Sequence, residues 1–433
     1  MGGANQEDEL TEETRRLIAQ VGGKRELWHG RGVVTELCNS KPEARERFIR
    51  PILEYAERHP EVDALHVWLS DGSNNTCECE DCRRLTHSDW YATILNDLSP
   101  RLRQISPNMR VVFLCYLNTL WPPEEVRLAP GCDNLVFMFA PSGRCYQHRL
   151  GAPDCGQPLP PERPPVNQVT MPQGNVGNMA FLQRWRPLLP GDGDSFLFDY
   201  HFCWDWVLDH IIYDFAELLP GDLEDAAALG LGGMMCCGTQ RCFYPLSLPM
   251  LRVARSLAGR PCDEEQEREY FRIAMGAEWE RAWDFIQGVD ERRVHPEWKQ
   301  GRWEAPRLWW EWTTAEHAAA TVAWLDQQKA VLEEAGQSAE NDRERQAWAL
   351  LQHFREFAGF AWRVADAVHR GERDSARQIA EEMVVFLLRT EPEVHRFADT
   401  GLQLSVVKRW PEVLAEEQVE PAVETPPLPP QEA

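Results

Sequence analysis

Three thiols stand within six residues in Cys77-x-Cys79-x-x-Cys82, directly after the strand-ending pair Asp71-Gly72. Thiols this close can chelate one soft metal, and a structural zinc is normally four-coordinate, so a fourth ligand is needed from elsewhere. Cys38 is the first candidate, because neighbouring parallel strands bring their C-terminal ends side by side. His87 is the alternative. The competing reading is a set of free thiols, or one disulfide bracing a loop, with no cofactor required.

Asp71 is the first catalytic candidate. A carboxylate at the C-terminal end of a barrel strand points into the mouth, where general acid or base chemistry is done. Read alone, Asp-Gly is also an ordinary strand-stopping turn. Glu36 sits in the apolar run GVVTELC, and a charge there is cheapest facing a hydrated barrel interior. Asp199 and His201 alternate with Phe198 and Tyr200, so period two puts both ionisable groups on one face, expected to be inward. The plainer account is a buried Asp–His pair serving structure. Tyr116, Asn118 and Trp121 end another apolar run and offer rings and an amide that suit a sugar. Arg144 could hold a uronic carboxylate through two parallel hydrogen bonds. The cluster Trp303, Trp309, Trp310 and Trp312 reads more readily as packing than as a binding surface.

The elements positioning these residues come from short apolar runs. Gly32–Cys38, Ala64–Asp71, Val111–Leu117, Leu135–Ala140, Ser195–Cys203 and Gly230–Cys237 are strand length and mostly rich in Val, Phe, Leu or Tyr. Helical spacing separates several of them: Ala44–Arg58, Ser88–Ile105 with Ser88 as N-cap, and Asp205–Leu219. Strand and helix alternating in this way describe a parallel sheet with crossover helices. No Gly-rich phosphate turn follows the first strand, which favours a (β/α)8 barrel over a doubly wound sheet. Six visible strands fall short of eight, so the expectation is a barrel whose opening units are missing at the N-terminus. Its exposed sheet edges would invite association, and oligomeric state stays open. The organisation expected is a polar segment over 1–30, a TIM-barrel-like domain over 31–262, a helical domain over 263–412 and a disordered Pro/Glu-rich tail over 413–433. The long loop Pro141–Gln173, with eight prolines, would sit over the barrel mouth.

The 433 residues carry 45 Lys+Arg against 69 Asp+Glu, a net charge of −24 that would repel a phosphate backbone and argues against nucleic acid as a partner. No apolar stretch is long enough to span a membrane. No secretory leader is visible, which makes a reduced, cytoplasmic compartment the default. Thirteen cysteines, an odd number in a long chain, do not describe a disulfide scaffold.

The segments ELCNSKPEARERF, VWLSDGSNNTCECEDCRRL, SDWYATILNDLSPRLRQISPNMRVVFLCY and WPPEEVRLAPGCDNLVFMFAPSGRCYQH, over about Val33 to Gly288, resemble the domain of unknown function 4838 family. The resemblance implies glycoside-hydrolase-like barrels distantly related to α-glucuronidases, and members with further sequence ahead of this region. Alpha-glucuronidases use a glutamic acid as proton donor, and the comparable strand here ends in Asp71. The function expected is glycoside hydrolysis of a polysaccharide or glycan, with Asp71 as acid or base, Asp199 or Glu36 as its partner, and Tyr116, Asn118, Trp121, Arg144, Tyr200 and His201 around the sugar. The alternative is a barrel that binds carbohydrate without turning it over.

Overall fold

The computed structural model describes residues 10–146, 148–172, 174–189, 195–202, 218–238, 244–293 and 309–415. By its internal contacts the chain divides into a first unit of Met1–Asp199, Leu218–Cys237 and Trp298–Trp303, and a second of Tyr200–Glu217, Gly238–Glu297 and Glu304–Ala433. The helix Leu248–Leu257 joins the helical unit and not the barrel-like one.

The first unit holds a curled parallel sheet. Its strands are β1 (Ala64–His66), β2 (Arg110–Cys115), β3 (Leu135–Phe139), β4 (Ser195–Phe202) and β5 (Met234–Gly238), and they lie side by side in chain order. Consecutive order is what a barrel segment requires; a doubly wound sheet reverses direction at a switch point. Among the described residues the sheet has five strands, so a complete eight-stranded ring is not seen.

The run Gly32–Cys38 does not form the expected strand. It is irregular chain with one antiparallel bridge, Leu37 to Ile18. Polar side chains hold it instead: Thr35 Oγ1 donates to the Arg31 carbonyl and accepts from Trp28 N, and Glu36 turns its carboxylate onto backbone N–H groups. The polar N-terminal segment is not separate either. Helix α1 (Glu12–Leu17) leads into Ala19, whose N–H donates to the Glu36 carbonyl, while Cys38 N donates to Leu17 O.

Helix α2 (Pro42–Arg58) starts with proline at its first position, where no N–H partner is lost. It buries Phe48, Ile49, Leu53 and Ala56 at helical spacing. Helix α3 (His87–Ile105) is capped by Thr86, not Ser88: Thr86 and Asp89 form a reciprocal capping box, and Ser88 Oγ donates to the Trp121 carbonyl. Helices α4 (Asn175–Trp185) and α5 (Leu219–Ala228) follow β3 and β4. These helices cover one face of the sheet. Val111, Phe113, Cys115, Leu135, Phe137, Phe139 and Leu197 point into that helix-side core. The alternate residues Val112, Leu114, Val136 and Met138 lie on the other face, with Trp68, Tyr116, Phe196 and Phe198 packed against them. The expected helix Asp205–Leu219 falls almost wholly outside the described residues.

In the second unit the helices Ala315–Gly336, Asp342–His369 and Arg373–Val394 pack as a bundle with Glu264–Met275 and Trp279–Asp290. Helix Glu264–Met275 ends at Gly276, which has φ +76°. Trp309 and Trp310 are buried here against Trp362 and Trp410, so these tryptophans are core. Trp303 and the tail from 416 lie outside the described residues. Among those described, no helix is long and apolar enough to cross a membrane.

His353 is buried in this bundle, its ring nitrogens engaged at 2.7 Å by Tyr244 Oη and at 2.8 Å by Thr390 Oγ1. Burial pushes it down to about 4, Glu356 opposing. A histidine whose folded pKa is depressed stabilises fully above its unfolded value, ~6.5, and loses that contribution as pH falls towards the folded one. The unfolding free energy of this unit should therefore fall between about pH 6.5 and pH 4, by at most ~1.4 kcal/mol per pH unit from this group. Chemical denaturation across that range checks it: His353→Gln should flatten the limb above pH 5, where carboxylates do not yet titrate.

Candidate functional site

Register decides which strand-end residues face which way. In the β3–β4 ladder Phe137 pairs with Ser195 and Phe139 with Leu197. Laterally paired residues share a face, so Ser195 and Leu197 join the helix side, and alternation carries Asp199 and His201 there too. The inward expectation for these two residues is thus corrected. Phe196 and Phe198 occupy the inner face, and Tyr200 follows them by the same alternation.

Asp199 is fully buried in an ionic cluster. One carboxylate oxygen accepts from Tyr146 Oη, and the other accepts from Arg144 Nη1 at 2.5 Å. Arg144 Nη2 donates at 2.7 Å to Asp222, at the start of α5. Burial works against the Arg144 charge, but Asp199 and Asp222 outweigh it and hold the guanidinium protonated. Its ring partner Tyr146, 4.3 Å beneath the guanidinium, is pushed well up by burial and by Asp199. Arg144 is thus spent on two internal carboxylates and is not presented to a uronic acid. The cluster ties the loop after β3, strand β4 and helix α5 together. His201 is also fully buried.

Glu36 is likewise internal. Its Oε1 accepts from Ser70 N at 2.8 Å and its Oε2 from Leu37 N at 3.3 Å, while His87 Nε2 stands 4.0 Å away. Burial lowers the His87 pKa against the pull of Glu36. Glu36 therefore anchors the end of the β1 chain, immediately before Asp71. Asp71 itself is exposed.

The loop after Asp71 is held by amides. Asn75 Nδ2 donates to Val34 O and Ser70 Oγ, and Asn118 Nδ2 donates to Asn75 Oδ1 at 2.6 Å. Asn118 Oδ1 accepts from Asn74 N at 2.9 Å. Asn118 thus locks the ends of β1 and β2 together. From the proline-rich loop, Asn167 Oδ1 accepts from Thr76 N and Val169 N donates to Asn74 Oδ1, both at 2.8 Å. That loop folds onto the strand ends as expected. Between them opens a cleft of about 270 Å3, lined by Thr76, His87, Asn118, Trp121, Arg163 and Asn167 among others. Trp121 is mostly core: its ring packs edge-on to Phe181 at 5.4 Å and carries Arg184 above it.

The inner face presents a different surface. His66 contacts Trp68 at 5.6 Å, and Trp68 contacts Phe198 at 5.9 Å. Tyr116 lies on the same face. Trp68 Nε1 is buried without a hydrogen-bond partner among the described residues. Neither His66 nor Trp68 was singled out from sequence, although the period-two spacing in ALHVWLSD puts them on one face of β1, and only its pairing with β2 brings that face to Tyr116.

The four cysteines Cys38, Cys77, Cys79 and Cys82 converge, with all sulfurs within 4.8 Å of one another. Hydrogen bonds from Cys77 and Cys82 hold the Cys38 thiol far below its usual range, helped by Ser40 and Arg25, while Cys77 is pushed up to about 11, chiefly by Cys38. His87, the alternative fourth ligand, bonds Thr76 instead.

Fold and site together describe an α/β domain on a consecutive parallel sheet, with a buried ionic cluster on its helix side and an aromatic inner face. Residues 17–152 match the family described as domain of unknown function (DUF4838). That span begins earlier and ends well before the Val33–Gly288 region of resemblance. Among solved structures, the chain is similar to an O-GlcNAc hydrolase of Thermobaculum terrenum, in a mutant form, with 14% identity and a TM-score of 0.37, over 87% of this chain and 76% of that one. It is also similar to a GH138 enzyme targeting pectin rhamnogalacturonan II, with 11% identity and a TM-score of 0.41, over 86% of this chain and 64% of that one. No curated protein matches.

Removing Arg144 takes a buried guanidinium from between the Asp199 and Asp222 carboxylates. Arg144→Met should cost about 3–5 kcal/mol. Urea denaturation of the variant beside the unaltered chain reads the loss.

Proposed function

We propose that this chain is a glycan-acting domain of glycoside-hydrolase type, with Asp71 as its acid or base. The observation that carries the reading is the place of Asp71: exposed, one residue past Ser70, at the carboxyl edge of a parallel sheet in barrel order. That edge is where barrel enzymes gather their chemistry. The aromatic inner face of Trp68, Tyr116 and Phe198 supports a sugar ligand, since rings cover the apolar faces of a pyranose. Asn118 contributes by fixing the loop that carries Asp71, and Trp121 by walling the adjacent cleft.

Asp199 and Glu36 leave the role of partner acid. Each carboxylate is buried and occupied by donors of the protein, and neither is available to activate a water. This same observation favours a second reading, carbohydrate binding without turnover, because both mechanisms of glycoside hydrolysis use a pair of carboxyl groups.

A panel of aryl glycosides and glucuronoxylan oligosaccharides, assayed with the full chain, separates the two. Turnover that falls about 10²–10⁴-fold in Asp71→Asn, with the fold intact by circular dichroism, supports the hydrolase. Turnover unchanged in that variant removes Asp71. Calorimetric binding of the same oligosaccharides without turnover, weakened in Trp68→Ala, supports the binding module.

A further inference from the structure

The four-cysteine cluster is separate from the Asp71 edge and draws on two stretches of chain. Cys38 follows the Ile18–Leu37 bridge, Cys77 and Cys79 lie in the loop after Asp71, and Cys82 begins a short 3-10 turn. Cys38 Sγ lies 3.6 Å from Cys79 Sγ and 3.8 Å from Cys82 Sγ. A disulfide would need ~2.05 Å. Sulfurs bound to one zinc at ~2.3 Å, at tetrahedral angles, stand about 3.8 Å apart. These two separations match edges of a zinc tetrahedron, and all four sulfurs lie within 4.8 Å of one another.

The surroundings fit an anionic centre. Four thiolates around Zn²⁺ carry a net charge of −2, which needs donors. Gln20 N points at Cys77 Sγ and Ser40 N at Cys82 Sγ, each at 3.3 Å. Arg25 Nη2 reaches Cys38 Sγ at 3.6 Å, bringing a full positive charge. Cys38, Cys77 and Cys82 are buried and Cys79 is half-buried. All four positions are filled by protein, which is the closed arrangement of a structural site and leaves no place for substrate or water. A cluster of several irons bridged by sulfide would hold its thiolates farther apart than this.

We infer that Cys38, Cys77, Cys79 and Cys82 bind one zinc ion, which cross-links the Cys38 turn to the loop that follows Asp71. The ion makes no contact with substrate. It replaces the strand that the 32–38 run does not form, clamping that run to the loop beyond β1. The inference stands whether or not the chain hydrolyses glycans.

Elemental analysis of the full chain, purified without chelators, should find about one zinc per molecule, the loading of a single closed site. A mercurial that blocks thiols should release that zinc to a chromogenic chelator, and cobalt exchanged into the site should show thiolate charge-transfer absorption and the intense visible bands of tetrahedral geometry. Cys79→Ser should lose the metal, while Cys132→Ser, a buried thiol outside the cluster, should keep it. Should Cys79→Ser fail to fold, mercurial release and the cobalt spectrum of the unaltered protein still decide. Stoichiometric iron, no stoichiometric metal with four titratable thiols, a Cys38 disulfide, or full zinc retention in Cys79→Ser would each overturn the inference.

Discussion

Every strand of a parallel sheet covered on one side by crossover helices has two faces to fill, and hydrogen-bond register forces laterally paired residues onto the same one. In this protein that constraint runs unbroken from Val111 and Leu135 through Phe137 and Ser195. It sends Phe113, Phe137 and Leu197 into the helices, and leaves Leu114, Met138 and Phe198 for the inside. Two residues farther along β4, the same alternation takes Asp199 out of the inner face and buries it against α5. A carboxylate in that position is tolerable only if paired, and Arg144 and Tyr146 reach it from the loop after β3. The ionic cluster is thus a consequence of register, and Arg144 serves the architecture of the strand ends.

The same logic organises the opposite end of the sheet. β1 is short, and its continuation to Asp71 is held mainly by side chains. Glu36 accepts the Ser70 N–H, Asn75 bridges Val34 and Ser70, and Asn118 binds both Asn74 and Asn75. Buried amides that satisfy one another in this way specify a single arrangement, because any shift leaves several donors unpaired at once. Asp71 is carried at the exposed tip of this network. The cysteine cluster lies at its far end, where the chain before Glu36 and the chain after Thr76 meet.

The helical unit is stabilised differently. Its interior is dominated by aromatic and aliphatic contacts, with Trp309, Trp310, Trp362 and Trp410 at angles that favour edge-to-face packing. Its buried polar groups are held in different ways: His353 by the hydroxyls of Tyr244 and Thr390, Glu344 by the Glu340 N–H and the Asn341 amide, and Arg355 by Glu356. Among them His353 is a histidine that burial keeps neutral.

Much of this was legible in the residues themselves. Apolar runs of strand length located β1 to β5, helical spacing located α2, α3 and the bundle, and the Cys77-x-Cys79-x-x-Cys82 spacing marked a thiol cluster, because these signals are local: a few neighbours and a period of two or 3.6 suffice. The run Gly32–Cys38 misled because apolar content suggests a strand, while the side chains of Thr35 and Glu36 compete for the backbone groups a strand would use. Which face of β4 looks inward could not be read, since a strand buried on both faces is apolar on both; only lateral pairing with β3 settles it. The convergence of Cys38 with a cluster some forty residues later, the closing of Arg144 onto Asp199 and Asp222, and the clasp of Asn167 on Thr76 are long-range contacts. No local pattern encodes them, and they exist only once the strands have been laid side by side.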